Sequence, residues 1–198
     1  MADGELISFL NSFDTLTDEE REAIAQNLVV KSYKKGEVLL REGELCDECF
    51  FLLKGCLRQY YLTDNDEKTT AFYTEGQAAV SVASYATQTP SKHFVACVED
   101  TTVIVGNLGQ EEKMYAKFPK LLTITRSMIE EDYGKTQEDF AAFITSSPEK
   151  RYLDLLSNRP ELLQRVPQHQ IASYLGITPE SLSRIRKRVA QKTKPAVG

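Results

Sequence analysis

The sequence has 198 residues, a net charge of −5 at pH 7, 41% hydrophobic residues and 27% charged residues. These values are typical of an ordinary globular chain, with room for one domain of about 130–150 residues and a smaller partner domain. They exclude a disordered or repetitive chain, and no apolar run approaches the roughly 20 residues that a transmembrane helix needs. The N-terminal residues, MADGEL, lack the basic segment of a secretory signal, so we expect a cytoplasmic protein that does not contact the membrane.

The charge is distributed unevenly along the chain. Residues 150–198 contain ten Lys and Arg against three Asp and Glu, a balance of +7, which leaves 14 against 26, a balance of −12, for residues 1–149. A basic segment at the end of an acidic chain indicates a polyanionic partner such as DNA. A solvated basic helix without a partner is the alternative that charge alone leaves open.

The first predicted elements are one or two short helices over residues 5–28. Thr17 and Glu20 have the spacing of a capping box, which predicts a helix start at this point. Between residues 29 and 109 the pattern changes to short β-branched and aromatic segments separated by turn residues. The predicted strands are 38–40, 50–53, 57–62, 69–73, 94–98 and 102–105. Several short strands at this spacing predict an antiparallel barrel or sandwich.

A long helix is predicted from residue 119 to 146, because Pro119 is suited to a first helical position and apolar residues then recur at helical intervals. Packing within its own subunit and a dimer seam are both open for this helix. Pro148 ends it, since proline disfavours helix in the preceding residue. The predicted domains are therefore an N-terminal barrel domain (1–118), a dimerisation helix with its hinge (119–146) and a C-terminal domain (147–198).

The segment 171–188, IASYLGITPESLSRIRKR, has the pattern of a helix-turn-helix. Ala172 is the small residue that a close helix crossing needs, and Gly176 falls four residues later, where the backbone must turn. Thr178 is suited to cap the second helix, and Pro179 to its first position. Apolar side chains occupy the inward positions: Ile171, Leu175, Ile177, Leu182, Ile185 and Val189.

A second face of the same helix carries the residues that read DNA bases in proteins. Glu180, Ser183, Arg184 and Lys187 share this face at positions i, i+3, i+4 and i+7. Arginine pairs with guanine through two hydrogen bonds, and glutamate accepts a hydrogen bond from cytosine. The neighbouring polar residues are expected nearer the phosphates or at the edge of the interface: His169, Ser181, Arg186, Arg188, Lys192 and Lys194. A three-helix bundle that binds protein is the alternative interpretation.

The sequence resembles the Crp/Fnr family of bacterial transcription regulators over nearly its whole length. The particular residues of its motifs resemble those of the Bacteroidetes members of the family. The resemblance is carried by RYLDLL (151–156), PELLQRVPQ (160–168) and IASYLGITPESLSRIR (171–186), and in the N-terminal half by YKKGEVLLREG (33–43) and FFLLKG (50–55).

This resemblance implies an α+β fold. It combines an N-terminal antiparallel β-barrel of the cyclic-nucleotide-binding type (a double-stranded β-helix), a long dimerisation helix and a C-terminal winged helix-turn-helix domain. It implies a homodimer that reads a palindrome in double-stranded DNA, with RNA polymerase as a further partner. Glu180, Ser183 and Arg184 match the family's base-reading Glu-x-x-Ser-Arg. The family often has a basic residue before that Glu, where this chain has Pro179, so we expect a different half-site. The wing is expected to be short, or to be built from residues before the motif.

The barrel of such a regulator senses a small molecule. Members that bind a cyclic nucleotide have a carboxylate for the ribose and an arginine for the phosphate, but this chain has Gln77 at the first position and no arginine at the second. Lys92 and His93 are the remaining candidates to hold an anion. We therefore expect an unknown small-molecule effector other than cAMP.

The cysteines have a spacing that is superficially similar to the iron–sulfur ligands of oxygen-sensing relatives. They are Cys46, Cys49, Cys56 and Cys97. Because they fall inside the predicted barrel, we expect reduced, mostly buried thiols, with no cluster and no bound metal. Cys46, in a turn, is the candidate for a redox-sensitive thiol.

Two hypotheses follow for the function. The first is a sequence-specific DNA-binding regulator. The second is a ligand-binding or protein-interaction module whose basic C-terminus binds without sequence preference. No nucleophile–base pair, phosphate loop or metal motif supports an enzyme.

Overall fold

The computed structural model describes residues 2–64 and 66–193. Their elements, in chain order, are α1 (Ala2–Asn11), α2 (Asp18–Ala25), β1 (Val29–Tyr33), β2 (Val38–Leu40), β3 (Cys49–Lys54), β4 (Leu57–Thr63), β5 (Asp66–Tyr73), β6 (Ala78–Ala79), α3 (Val82–Thr87), β7 (Phe94–Cys97), β8 (Thr101–Gly106), α4 (Leu108–Lys117), α5 (Pro119–Thr145), α6 (Pro148–Asn158), α7 (Leu162–Arg165), α8 (Gln168–Tyr174) and α9 (Pro179–Thr193). None of these helices combines the length and the hydropathy of a transmembrane segment.

The strands form two four-stranded antiparallel sheets that face each other. One sheet has the order β1-β8-β3-β6 and the other β2-β7-β4-β5. Alternate side chains of β3 and β7 point into the space between the sheets, as the period of two in an extended strand requires. The interior is formed by Leu40, Cys46, Phe50, Leu52, Leu57, Ala79, Val95, Cys97, Val103 and Val105. The predicted antiparallel barrel is confirmed, and α3 within it was not predicted.

The helix α5 has no fully buried residue along its 27 positions. Its first half packs on the outer face of the barrel through Leu121 and Ile124, together with α1, α2 and α4. The capping box predicted at Thr17 is present at the start of α2, where Thr17 Oγ1 accepts a hydrogen bond from the Glu20 amide and Glu20 accepts one from the Thr17 amide. These helices attach α5 to the sheet that contains β8.

The four C-terminal helices share one apolar core. It contains Tyr152, Leu155, Leu162, Val166, Ile171, Ala172, Leu175, Leu182 and Ile185. The predicted wing is not found, because the described residues from 146 to 193 form helices and no strand. The segment between α6 and α8 is bounded by Pro160 and Pro167, which lack the backbone N–H groups that a strand ladder uses, and it forms the short helix α7 instead. Residues 194–198, including Lys194, lie outside the described residues.

Candidate DNA-binding surface and effector domain

The turn of the helix-turn-helix has the predicted geometry. Gly176 adopts a φ of +67°, a left-handed conformation that glycine enters without steric cost. The Ile177 amide donates to the Ala172 carbonyl at 3.0 Å, and Ala172 is fully buried at the crossing. Thr178 Oγ1 accepts a hydrogen bond from the Ser181 amide at 3.2 Å, so Thr178 caps α9 as expected.

The predicted base-reading side chains lie together on the exposed face of α9. Glu180, Ser183, Arg184 and Lys187 are all exposed, while Leu182 on the opposite face is buried. The backbone amide of Glu180 itself, at the helix N-terminus, and then the Thr178 hydroxyl lower the pKa of the Glu180 carboxyl. The side chain is therefore an anion that can accept a hydrogen bond from a base.

Two of the predicted phosphate-contacting residues are engaged within the protein. Arg188 Nη1 lies 2.6 Å from Glu149 Oε2, and Lys192 Nζ lies 2.9 Å from Glu149 Oε1. Glu149 is in the first turn of α6, where the helix dipole favours a carboxylate. These pairs hold α9 against α6, and they partly neutralise two cations at the C-terminal half of α9.

His169 and Ser181, the remaining predicted contacts, lie on either side of the turn. His169 is exposed on the first turn of α8. Ser181 is half-buried, and its hydroxyl lies 3.2 Å from the Thr178 hydroxyl, so its geometry is that of a helix cap. Ser181 thus lies beside Glu180 at the start of α9, whereas His169 lies at the start of α8.

An ion-pair cluster that the sequence did not predict joins the C-terminal helices to the barrel. Arg165, at the end of α7, donates to Glu75 at 2.8 and 2.9 Å and to Glu99 at 2.5 and 2.8 Å. Its Nη2 also donates to the Gly55 carbonyl at 2.7 Å. The Arg165 side chain is 22% exposed, which makes these bonds stronger than surface pairs.

Gln77, a predicted ligand residue, lies beside this cluster. Its Oε1 accepts hydrogen bonds from the Thr74 amide at 3.0 Å and from the Thr74 hydroxyl at 3.3 Å, and Arg159 Nη2 lies 3.5 Å away. Arg159 also donates to the Phe72 carbonyl at 3.0 Å and to the Thr74 hydroxyl at 3.1 Å. Gln77 therefore shapes the loop between β5 and β6 and faces the C-terminal domain.

The helix α8 packs directly on strand β5. Ser173 Oγ accepts a hydrogen bond from the Thr69 amide at 2.9 Å and donates to the Glu67 carbonyl at 2.8 Å. The rings of Tyr174 and Phe72 meet edge to face, with their centroids 5.2 Å apart. We refer to the contacts of Arg159, Arg165, Ser173 and Tyr174 with the barrel as the docking interface. No sequence signal distinguished these four residues from ordinary solvated side chains.

Three buried serine hydroxyls, those of Ser81, Ser84 and Ser91, form hydrogen bonds inside the barrel near α3. Ser91 Oγ donates to the His93 carbonyl at 3.0 Å and lies 3.2 Å from the Ser81 hydroxyl, while Ser84 Oγ accepts from the Cys46 amide at 2.9 Å. Burial lowers the pKa of His93, so its ring, which is tilted by 53° from the Tyr61 ring, is neutral at pH 7. Its buried Nε2 has no hydrogen-bond partner among the described residues.

The predicted anion ligands therefore do not converge. His93 is buried and Lys92 is exposed to solvent, and Gln77 is engaged in its own loop. A cyclic nucleotide needs a positive charge or free backbone N–H groups at its phosphate and a carboxylate at its ribose. Gln77, Lys92 and His93 do not form such a site.

The cysteines do not share one apolar region. Cys46 and Cys97 pack in the barrel interior, whereas Cys56 belongs to the apolar core that the barrel shares with the C-terminal helices. Burial raises the pKa of Cys49 and of Cys56 to about 12 and that of Cys97 to about 11. Burial also raises the pKa of Cys46. The described residues contain no group of three or more His, Cys, Asp or Glu side chains that could hold a metal. The thiols do not fit a cluster that needs four converging thiolates.

A cavity of about 720 Å³ lies outside the barrel, between its outer face and α5. Apolar side chains form most of its wall, among them Phe51, Ile104, Met114, Leu121 and Ile124. Gln77 and Arg159, the latter a residue of the docking interface, also line it.

The fold and the surface together define a class of protein: an antiparallel barrel, joined by a long helix to a helix-turn-helix domain with an exposed polar face. Residues 30–117 match the family model of the cyclic nucleotide-binding domain. Among curated proteins, the anaerobic regulatory protein of Haemophilus influenzae is 25% identical, over 88% of this chain and 72% of that protein. The nitrogen fixation regulation protein FixK of Rhizobium meliloti is 23% identical, over 83% of this chain and 77% of that protein.

Solved structures agree on the fold. A mutant of CooA from Carboxydothermus hydrogenoformans superposes with a TM-score of 0.68 at 16% identity, covering 94% of this chain and 84% of that chain. FixK2 from Bradyrhizobium japonicum gives a TM-score of 0.66 at 18% identity, covering 83% and 85%. Residues 30–117 therefore match a cyclic nucleotide-binding domain, and the curated relatives of the chain are regulatory proteins. The closer similarity to Bacteroidetes members stays a prediction.

Proposed function

We propose that this protein is a sequence-specific DNA-binding transcription regulator of the Crp/Fnr type. The observation that carries the proposal is the exposed face of α9, where Glu180, Ser183 and Arg184 project from the first two turns of a helix whose apolar face is buried. A helix in this position of a helix-turn-helix lies in the major groove with its N-terminal residues at the base edges. The regulatory relatives support this assignment.

The regulator acts as a homodimer in this proposal. Large apolar side chains are exposed along α5 at helical spacing: Leu122 (53%), Ile129 (62%), Tyr133 (65%), Phe140 (66%) and Ile144 (64%). A stripe of this length on a helix of about 40 Å is typical of a helix that pairs with a second copy. A two-fold dimer would present two copies of α9 and read a palindrome.

The effector in this proposal is an unidentified small molecule other than cAMP, because the predicted ligand residues of the barrel fit a cyclic phosphate poorly. The protein works in the cytoplasm, with RNA polymerase as a partner. Isothermal titration of the purified dimer with cAMP is expected to give no binding heat. Saturable binding with one site per subunit would contradict it.

Selection from a random DNA pool tests the function most broadly. The wild-type protein is expected to select a palindrome, which a dimer with two reading helices requires. A basic module without a reading helix would enrich no sequence, because phosphate contacts carry no sequence information. A pool that stays random after repeated rounds would refute the proposal. The pool selected by the Arg184→Ala variant should have relaxed base preference at one position of each half-site.

A further inference from the structure

The docking interface fixes the direction in which α9 points relative to the barrel. Arg165 anchors α7 to three groups of the barrel at once, namely the Glu75 carboxylate, the Glu99 carboxylate and the Gly55 carbonyl. Arg159 anchors the end of α6 to the Phe72 carbonyl, and Ser173 anchors α8 to β5. Three successive helices thus contact the barrel. Any rotation of the C-terminal domain about the hinge between α5 and α6 would break at least one of these contacts.

The docking interface includes buried apolar contacts as well as polar ones. Cys56, Phe72 and Val98 of the barrel are nearly fully buried in the same apolar core as Leu162 and Val166 of the C-terminal helices. A continuous apolar core that excludes water strengthens the charged hydrogen bonds at its edge. The barrel and the C-terminal helices therefore behave as one body while the docking interface is intact.

The docking interface leaves the base-reading face free. Glu180, Ser183 and Arg184 are exposed, and the barrel contacts come from α6, α7 and α8. The docked arrangement is therefore compatible with DNA in the groove. In a dimer, two docked domains would hold their α9 helices at one fixed separation. Half-sites on B-DNA lie one helical turn apart, about 34 Å, or a multiple of it, and only a matching separation lets both helices bind together.

We propose that Arg165, assisted by Arg159, is a positioning residue that sets the spacing between the two half-sites. The inference rests on the proposed function, because it needs a dimer that reads a palindrome. Arg165 itself touches no base. It restricts the rotation of the C-terminal domain, so that one spacer length is bound and neighbouring lengths are rejected. Without it the remaining contacts of the docking interface hold the domain less firmly, so that the domain can rotate on the hinge between α5 and α6 and adapt to several spacings.

The test uses the full-length protein and the palindrome that it selects, with the spacer lengthened or shortened one base pair at a time. Wild type is expected to bind one spacer length at least ten-fold more tightly than its neighbours. The Arg165→Ala variant should bind the neighbouring lengths within about three-fold of the best one, while its affinity for a single half-site is unchanged. The matched control is Lys150→Ala, which removes a cation of the same domain that pairs locally with Asp154 and does not contact the barrel.

A second variant approaches the docking interface from the barrel side. Glu75→Gln combined with Glu99→Gln leaves every C-terminal residue intact, so a broadened spacing preference in this variant cannot come from lost DNA contacts or a misfolded reading helix. If both variants keep the wild-type spacing preference, the inference is wrong. It is also wrong if both lose affinity equally for all spacings and for the single half-site. A wild-type protein that selects no palindrome would refute the proposed function itself, and the inference with it.

Discussion

The ion pairs of Glu149 give a prediction with a calculable size. Glu149 holds Arg188 at 2.6 Å and Lys192 at 2.9 Å, and its carboxylate is 24% exposed between them. The Glu149→Gln substitution removes the negative charge and frees two cations for DNA phosphates. Each phosphate contact steepens the slope of log affinity against log salt concentration by about 0.9, so the variant should be steeper than wild type by up to about 1.8.

Fluorescence anisotropy on the selected operator, between about 50 and 200 mM salt, measures this slope. The variant should also bind more tightly than wild type at the low-salt end, where released cations contribute most. Glu112→Gln is the control, because it removes the same charge from an exposed position on α4, for which the described residues show no ion pair. A slope equal to that of the control would show that Arg188 and Lys192 do not approach phosphates, and the orientation assigned to α9 would then be wrong.

The remaining predictions concern the barrel. Gly55→Ala should destabilise the fold by about 1–3 kcal/mol more than Gly36→Ala, by urea denaturation: both positions have a positive φ, but only at Gly55 would a Cβ lie within 3 Å of Thr101. Equal losses would contradict this packing. Because their pKa values are about 12, Cys49 and Cys56 should react with iodoacetamide at pH 8 far more slowly in the folded than in the urea-unfolded protein. Equal rates would show that these thiols are accessible.

Acid should weaken the docking interface through Glu75. Burial raises the pKa of this carboxyl, but the hydrogen bonds from Arg165 and from backbone amides outweigh it and leave the pKa below 4.5. Its contribution to stability is therefore complete above about pH 4.5 and is lost as the pH falls through the lowered pKa. Urea unfolding at several pH values between about 3 and 6 should show this loss in wild type but not in Glu75→Gln. The same pH dependence in both proteins would contradict the assignment.

The helix-turn-helix could be predicted because its geometry is encoded locally. Ala172, Gly176 and Thr178 each meet a requirement that one or two turns of backbone impose, and each occupies the predicted role in the structure. The barrel strands could be predicted for a similar reason, since a period of two and turn glycines mark them in the sequence. Strand β5 begins earlier than expected, at Asp66, because pairing with β4 extends it beyond its apolar part.

The docking interface could not be predicted in this way. Arg165 bonds to Glu75 and Glu99, which lie 90 and 66 residues earlier in the chain, and Ser173 bonds to Thr69 across 104 residues. An arginine and a serine on a polar helix face are ordinarily solvated, so no local pattern marks them as contacts. The wing was expected from the family resemblance, yet the prolines on both sides of α7 favour a helical turn at that place.

The most direct test of the base-reading assignment compares Arg184→Ala with Arg186→Ala, a neighbouring exposed cation that is predicted to contact phosphates. Dissociation constants are measured for the selected operator and for operators with each base pair of one half-site replaced in turn. The Arg184→Ala variant should lose about 1–3 kcal/mol on the intact operator and become indifferent to the base pair at one position, while Arg186→Ala weakens binding to every sequence alike. If both variants weakened binding to every sequence equally, α9 would contact the DNA backbone without making base-specific contacts, and the base-reading assignment would be wrong.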